Sequence, residues 1–250
     1  LPPHEKKCKY FDERLGTNPD EAAKELKKEQ LNSSYGAAYY PWVKIRDTEN
    51  SRDLWVPPSV VALGVMAYTE QRDEVWFAPA GFNRGGLNEG NAGVPVLQVS
   101  EQLLSKQRDT LYEANINPIA SFVTEGLVIF GQKTLQSTPS ALDRINVRRL
   151  FIVLEKAIAI AAKFQLFEFN DSFTRAQFTS LLTPFLRDVQ GRRGIYDFKV
   201  ICNTSNNTSQ VIDANEFVAD IFIKPAKSIN FIQLNFIATR TGVSFDEIGG

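Results

Sequence analysis

The residue types that most often carry catalysis or bind metals are scarce in this 250-residue chain. It contains one histidine, His4, near a polar terminus, and two cysteines, Cys8 and Cys202, that lie far apart. A zinc site of cysteine and histidine needs about four patterned ligands, which these residues cannot supply. A nucleophile activated by histidine would have to use His4. The sequence therefore predicts no metal centre and no cofactor, and two unpatterned cysteines favour a reducing compartment.

Acidic residues and one glycine-rich stretch offer two further possibilities for chemistry. Glu168, Asp171 and Asp188 could form an acid/base pair, but Asp171 is better explained as a helix cap and Asp188 as surface charge on a helix. Residues 126–134 resemble a phosphate-binding loop, yet Gln132 stands where that motif needs lysine directly after its second glycine. We interpret the apolar residues within this stretch as a strand. A carboxylate-dependent hydrolase is the less favoured alternative function, and the sequence predicts no catalytic residues.

Charge and hydropathy exclude other classes of function. The formal net charge is −1, so no field of the whole chain attracts nucleic acid. No apolar run reaches the roughly eighteen residues of a membrane span, and no secretory signal is present. The chain starts at Leu1 and its one methionine is Met66, so we expect it to be part of a longer protein.

Several arginines of the sequence have two possible interpretations. Residues 144–149 read Arg-Ile-Asn-Val-Arg-Arg and open the strongest predicted helix, where the positive end of the helix dipole disfavours basic side chains. One interpretation is a set of ordinary solvated arginines; the other is a local basic strip that faces an acidic protein partner. The arginines considered for this strip are Arg148, Arg149, Arg175, Arg187, Arg192 and Arg193, and all of them except Arg175 are predicted to contact such a partner.

The elements that must position these residues fall into two parts. After residue 100 we predict helices that begin at Ser100, Asn146 and Asp171, with Pro184 kinking or splitting the last, and strands at 195–202, 217–224 and 229–238. This pattern predicts an α+β fold, in which two to three long helices cover one face of a mixed or antiparallel sheet. Before residue 100 we predict a helix start at Asn18-Pro19-Asp20-Glu21 that leads into 22–31, and a strand at 39–45. We also predict a short helix capped by Ser59, a strand running into a turn at 75–81, and a loop at 85–93.

The strand predicted at 229–238 is long and apolar. Exposed strands of this kind aggregate unless something pairs with them. It is either a central strand of the chain's own sheet or a strand shared with a neighbouring copy, and the sequence does not choose between the two. The residues predicted to form an intersubunit strand are Ile229, Phe231, Ile232, Leu234 and Phe236.

An ordered series of short motifs resembles contractile tail sheath proteins of T4-like phages, over roughly residues 35–238. The motifs are Tyr39-Tyr40-Pro41-Trp42-Val43, Val56-Pro57-Pro58-Ser59, Ala78-Pro79-Ala80-Gly81, Asn115-Ile116-Asn117-Pro118, Asn146-Val147-Arg148-Arg149, Phe167-Glu168-Phe169-Asn170-Asp171 and Pro225-Ala226. Each motif alone is weak, but their order and spacing are specific.

The resemblance implies a structural part of a machine. Residues 100–250 would form the conserved inner domain that faces the tail tube, and residues 1–99 part of a more irregular outer domain. The implied partners are other copies in a helical sheath, the tail tube protein, and baseplate and tail terminator proteins, with no nucleic acid and no membrane. The implied location is the virion tail, assembled in the bacterial cytoplasm. A sheath subunit of a bacterial injection system, bacteriocin-like or type VI-like, is the nearest alternative.

Overall fold

The computed structural model describes residues 18–88, 90–230 and 232–234. Within them the chain forms six α-helices, eight strands and a short 3₁₀ helix at Ala141–Asp143. The helices are α1 (Pro19–Lys28), α2 (Pro58–Arg72), α3 (Ser105–Glu113), α4 (Ile145–Lys163), α5 (Ser172–Gly191) and α6 (Ser209–Asp213). The strands are β1 (Ala38–Tyr40), β2 (Val43–Asp47), β3 (Arg52–Val56), β4 (Val96–Val99), β5 (Ile116–Phe122), β6 (Gly126–Ile129), β7 (Ile195–Ile201) and β8 (Asp220–Pro225).

The described strands form three small sheets. Their orders are β1-β5-β6, β3-β2-β4 and β7-β8. The pair β1–β5 is parallel and the other pairs are antiparallel. The predicted α+β class is confirmed, although the sheet content is divided among three small sheets.

Local sequence explains where the principal helices begin. The Asn18 side chain accepts a hydrogen bond from the Asp20 amide at 3.0 Å, which caps α1 ahead of Pro19. The Asp171 carboxylate caps α5 by accepting from the Thr174 amide at 2.8 Å. Both caps agree with the sequence prediction, and α5 continues as one helix through Pro184.

Two hydrophobic cores hold the assembly-relevant elements in place. One contains Val61 of α2, Ile119 of β5 and Ile145 of α4, so it joins residues from both sides of position 100. The other packs α4, α5 and β7 around Trp76, through residues that include Leu154 and are almost fully buried. The predicted boundary at residue 99 runs through the first core, and the assignment of 1–99 to an outer domain stays a prediction.

Several predicted boundaries are wrong for identifiable physical reasons. Residues 75–81 lie in turns and bends and not in a strand. Their apolar character has another cause, because Val75, Trp76 and Phe77 pack in the core that α4, α5 and β7 form. The strand predicted at 39–45 is divided by Pro41, which has no amide hydrogen to donate to a ladder. Helix α3 starts after Leu104 and not at Ser100. The Leu104 amide donates to Gln107 Oε1 at 2.8 Å, which fixes this start.

The beginnings of two further helices also differ from the prediction. The first residue of α4 is Ile145, so Asn146 lies inside the helix, where its amide nitrogen donates to the Trp76 carbonyl at 3.3 Å. Pro57, and not Ser59, precedes the first turn of α2. Within α2, a side chain at Gly64 would lie 1.9 Å from the carbonyl oxygen of Ala92, which explains a glycine in mid-helix.

Candidate assembly surfaces

Two of the predicted interface arginines point into the chain's own structure. The Arg148 side chain is 9% exposed, and its guanidinium donates to Ser34 Oγ at 2.6 Å and to Tyr35 Oη at 3.2 Å. Its carbon Cζ lies 4.2 Å from the centre of the Tyr35 ring, within range of a cation–π contact. Arg148 therefore fastens the segment before β1 onto the start of α4.

Arg149 lies near the N-terminus of α4, where the helix dipole disfavours a cation, and its partners lie near the C-terminal end of α2. Its Nη2 donates to Glu70 Oε2 at 3.1 Å and to the Met66 carbonyl at 3.3 Å, both in the last turns of α2. Burial lowers the pKa of the guanidinium, and the Glu70 carboxylate acts in the opposite direction. The charge is thus balanced within the chain.

The other three predicted interface arginines are exposed at the end of α5. Arg192 pairs with Glu74 at 3.0 Å and with Asp188 at 3.1 Å, and the hydrogen bond to Glu74 is the largest cause of its raised pKa. Arg193 has a positive φ of 66°, and its Cζ lies 6.0 Å from the Phe77 ring centre. The Arg187 side chain makes no hydrogen bond or ion pair with any described residue.

Trp76 bonds to both the start of α4 and the end of α5, the two regions that carry these arginines. Its ring nitrogen donates to the Arg192 carbonyl at 3.0 Å, while its own carbonyl accepts from Asn146 of α4. The start of α4 and the end of α5 are therefore neighbours. The five arginines do not form one continuous exposed strip, because Arg148 is buried and only the α5 group faces solvent.

Hydrogen bonds hold the first residues after β8 against the rest of the fold. The Ala226 amide donates to the Gly194 carbonyl at 3.1 Å, and Gln132 Nε2 donates to Ser228 Oγ. With the Asn230 amide oxygen turned toward Arg144, it accepts from Nε at 3.1 Å and Nη2 at 3.0 Å. We name residues 226–234 the C-terminal arm, whose first part these bonds fix.

The described apolar side chains of the arm nevertheless face solvent. Ile229, Ile232 and Leu234 are 70% exposed or more, and none of the described residues of the arm is in a strand. Phe231 and Phe236 lie outside the described residues. The predicted strand is thus not formed as part of the chain's own sheet in the described part of the arm. Its pairing with a neighbouring copy stays a prediction.

The arrangement gives no support to the sites for chemistry considered from sequence. Asp171 is occupied as a helix cap and Asp188 pairs with Arg192, while Glu168 is exposed. Among the described residues no group of three or more metal-binding side chains comes together, and no helix there is long and apolar enough to span a bilayer. The phosphate-loop lookalike contains strand β6, as predicted.

An open cavity of about 300 Å³ lies beside the arm. Its lining includes Arg108, Tyr112 and Phe130, together with Ser228 and Asn230 of the arm. The Arg108 guanidinium carbon is 5.9 Å from the Phe130 ring centre, so the wall of the cavity combines aromatic surface with a positive charge. The cavity therefore shares its residues with the region that anchors the arm.

One exposed surface was missed by the sequence reasoning. The end of α4, the following turn and the start of α5 expose large apolar side chains instead of burying them. We name this surface the apolar tip, which consists of Ile160, Phe164, Leu166, Phe167, Phe169 and Phe173. The available signal was the segment 164–169, Phe-Gln-Leu-Phe-Glu-Phe, in which four of six residues are large and apolar and do not follow the helical period.

Comparison with known proteins identifies relatives of this chain. Residues 137–239 match the family model described as the phage tail sheath C-terminal domain. The tail sheath protein of Vibrio phage KVP40 is 44% identical over 237 residues, covering 95% of this chain and 34% of that protein. The tail sheath protein of Enterobacteria phage T4 is 43% identical over 204 residues, covering 82% of this chain and 30% of that protein.

Solved structures share the fold. The helical sheath of the anti-feeding prophage in its contracted state matches with a TM-score of 0.71 and 26% identity, over 83% of this chain and 57% of that one. The contracted sheath complex of the extracellular injection system PVC matches with a TM-score of 0.75 and 24% identity, over 87% and 60%. The latter likeness concerns the fold alone.

The family relationship follows from the agreement between these comparisons and the motifs. This chain spans about a third of the length of the curated relatives it matches. The sequence matches nevertheless extend over most of the chain, and the structural match to the anti-feeding prophage sheath covers 83% of it. The chain belongs to the phage tail sheath protein family.

Proposed function

We propose that this chain is part of a sheath subunit that polymerises helically around a tail tube and contracts to drive the tube through the host envelope. The observation that carries the proposal is the 40–44% identity to three phage tail sheath proteins across 82–95% of the chain. Because the chain spans only a third of those relatives, the activity of the whole protein remains part of the proposal.

The proposed subunit works through changes in its contacts and not through catalysis. Assignment to a family of structural proteins supports this inference. A sheath that contracts without nucleotide must store free energy in the packing between its copies. Each interface needs to differ by only a few kcal/mol between two packings, since many copies act together.

The proposed partners follow from the same assignment. They are other copies of the subunit, the tail tube protein, and the baseplate and tail terminator proteins, within a virion tail that assembles in the bacterial cytoplasm. A bacterial injection system is the second candidate, supported by the likeness to the sheaths of the anti-feeding prophage and PVC. The higher identity to phage proteins favours the phage tail.

Within this function, the C-terminal arm supplies a strand to a neighbouring copy. Its exposed apolar side chains support this role, and so does the two-stranded β7–β8 sheet, whose outer edges pair with no other described strand. Ile232→Pro should abolish polymers of the full-length protein, because proline removes an amide donor. Ile232→Thr keeps that donor and should still polymerise. Folded polymers of the proline variant would contradict the strand role.

The exposed arginines of α5 form the proposed contact with the tube or an adjacent subunit. Reversing the charge at Arg187, Arg192 and Arg193 should weaken assembly, and rising salt should weaken the parent protein's assembly in the same direction. Sedimentation of polymers at several salt concentrations measures this. Normal sheath formation by the reversed variant would reject the role. The same role for Arg148 and Arg149 stays a prediction, because substitutions there would also disturb folding.

Negative-stain microscopy of the full-length protein tests the proposal as a whole. Long hollow tubes are the expected result. A protein that stays monomeric under all conditions and turns over a small molecule would contradict the proposed function and favour the hydrolase alternative.

A further inference from the structure

The apolar tip is unusual in how much large apolar surface it leaves in water. Its six side chains have exposed fractions between 58% and 105%, and they fall within fourteen consecutive residues. Scattered exposed apolar residues are ordinary, but a concentration of large ones on one turn and the helix ends beside it is typical of an interaction site. The patch occupies the opposite end of α4 from Arg148, so it is separate from the contacts of that arginine.

A buried polar network holds the turn of the tip in place. Arg175 Nη1 donates to the Asn170 Oδ1 at 2.7 Å and to the Asn170 carbonyl at 3.1 Å. The Asn170 amide in turn donates to the Glu216 carbonyl at 2.8 Å and to Asn207 Oδ1 at 3.2 Å. Arg175 and Asn207 are 7% and 2% exposed. The exposed phenylalanines therefore project from a turn that is already ordered, which lowers the entropic cost of binding.

Phe167 adds a second, independent observation. Its φ is +71°, in the left-handed region that bulky side chains rarely adopt, and its ring is fully exposed. Neither the strained backbone nor the solvated ring stabilises the chain itself. Strain of this kind clusters at functional regions of proteins, such as ligand clamps and switch segments.

We propose that the apolar tip docks against a second copy of this chain in the sheath, an inference that rests on the proposed function. The four phenylalanines of the tip, each with about 150–250 Å² of surface, expose most of that area. The total approaches the roughly 800 Å² that each partner contributes to a standard interface. Permanent contacts between identical subunits are also more apolar than transient ones.

The geometry of a helical sheath fits a contact of this type. A tip that binds a different surface on the next copy makes a head-to-tail contact, and repeated head-to-tail contacts build open helical arrays. The solved structure from the anti-feeding prophage, which shares this fold, is that of a helical sheath. The tip and the C-terminal arm would then be two separate attachments between neighbours.

A photoreactive residue at the tip identifies its occupant. Benzoylphenylalanine replaces Phe167 in the full-length protein, and assembled polymers are irradiated beside unassembled protein. A crosslinked product of two subunits, formed in the polymer and absent from the unassembled sample, is the expected result. A crosslink only within one chain, a crosslink only to co-assembled tube protein, or no crosslink in intact polymers would each overturn the inference.

Substitution of the same surface measures its contribution to assembly. Asparagine adopts a positive φ more readily than phenylalanine, so Phe167→Asn combined with Phe169→Ser should leave the melting temperature of the monomer unchanged. The critical concentration for polymers should rise at least tenfold. The control is Val123→Asn, which removes another fully exposed apolar side chain, at the β5–β6 turn, and should polymerise like the parent.

The outcomes separate this inference from the proposed function. If the parent polymerises and the double variant does so at the same concentration, the tip does not mediate assembly. An equal loss in the Val123 control would show a general loss of apolar surface and would also overturn the inference. If the parent forms no polymer at all, the proposed function fails first, and this inference with it.

Discussion

The two ends of helix α4 differ in what surrounds them. At its start Ile145, Leu150 and Leu154 are at most 5% exposed and join two cores, whereas Ile160 and Phe164 near its end are 58% and 75% exposed. Both ends are comparably apolar in sequence. Hydrophobicity therefore does not by itself distinguish residues that fold the subunit from residues available to join it to others; only the presence of a packing element does.

The same division applies to the arginines. Arg148 and Arg149 at the start of α4 are largely buried against partners within the chain. The group at the end of α5 is exposed to solvent, although Arg192 also pairs with Glu74 and Asp188. A basic side chain in an unfavourable helical position thus had an intramolecular explanation. The exposed group is the one whose charges can act on another protein.

The largest difference between the two ends of α4 should appear in core truncations. Leu154→Ala should lower the free energy of unfolding by about 2–5 kcal/mol, because it removes buried methyl groups and leaves a cavity. Phe164→Ala, the matched change at the exposed end, should alter it by less than about 0.5 kcal/mol. Urea unfolding of the monomeric protein measures both. Equal losses would mean that the exposed end is also packed in solution.

A smaller difference should separate the two groups of arginines. Arg148→Met keeps the length of the side chain but removes its hydrogen bonds to Ser34 and Tyr35, and hydrogen bonds of charged groups are worth about 1.5–3 kcal/mol. We expect a loss of that order in the same unfolding experiment. Arg187→Met should lie within about 0.5 kcal/mol of the parent. If Arg148→Met unfolds with the same free energy as the parent, Arg148 returns to the set of candidate interface arginines.

Much of the fold could be predicted because its signals are local. Asn18 before a proline and Asp171 before an amphipathic run define helix starts through side-chain bonds over a few residues. The buried stripe of α4, which includes Val147, Leu150 and Leu154, follows from the helical spacing of these apolar residues. The start of α4 was misplaced because the Asn146 amide bonds to Trp76, seventy positions earlier in the chain, and no local pattern announces such a contact.

The candidate surfaces were predictable only in part, for the same reason. Burial of Arg148 depends on residues more than a hundred positions away, so sequence could not show that it points inward. The apolar tip was missed because the apolar segment 164–169 does not show where along the helix the covering elements end; a hydrophobic stripe indicates only which face of a helix is apolar. The arm was recognised as apolar, but its pairing depends on chains outside the subunit.

The smallest expected effect concerns Asp171, whose carboxylate begins α5 next to the apolar tip. The bond from the Thr174 amide is the main cause that lowers the pKa of this carboxyl below its ordinary value. A folded-state pKa below the unfolded value stabilises the fold at pH above the unfolded value of about 4. That stability is lost as the pH falls through the lower, folded value. Asp171→Ala should therefore melt below the parent at neutral pH.

The difference in melting temperature between parent and Asp171→Ala should shrink on acidification through this range. Asp171→Asn keeps an acceptor without a titrating group, so the gap between the asparagine and alanine variants should not follow the titration of residue 171. Thermal melts at a series of pH values measure both gaps. A parent–alanine gap that stays constant into strong acid would show that the charge of Asp171 does not hold the start of α5. The order of the tip would then depend on the Arg175–Asn170 network alone, which links these residues to the region of Glu216.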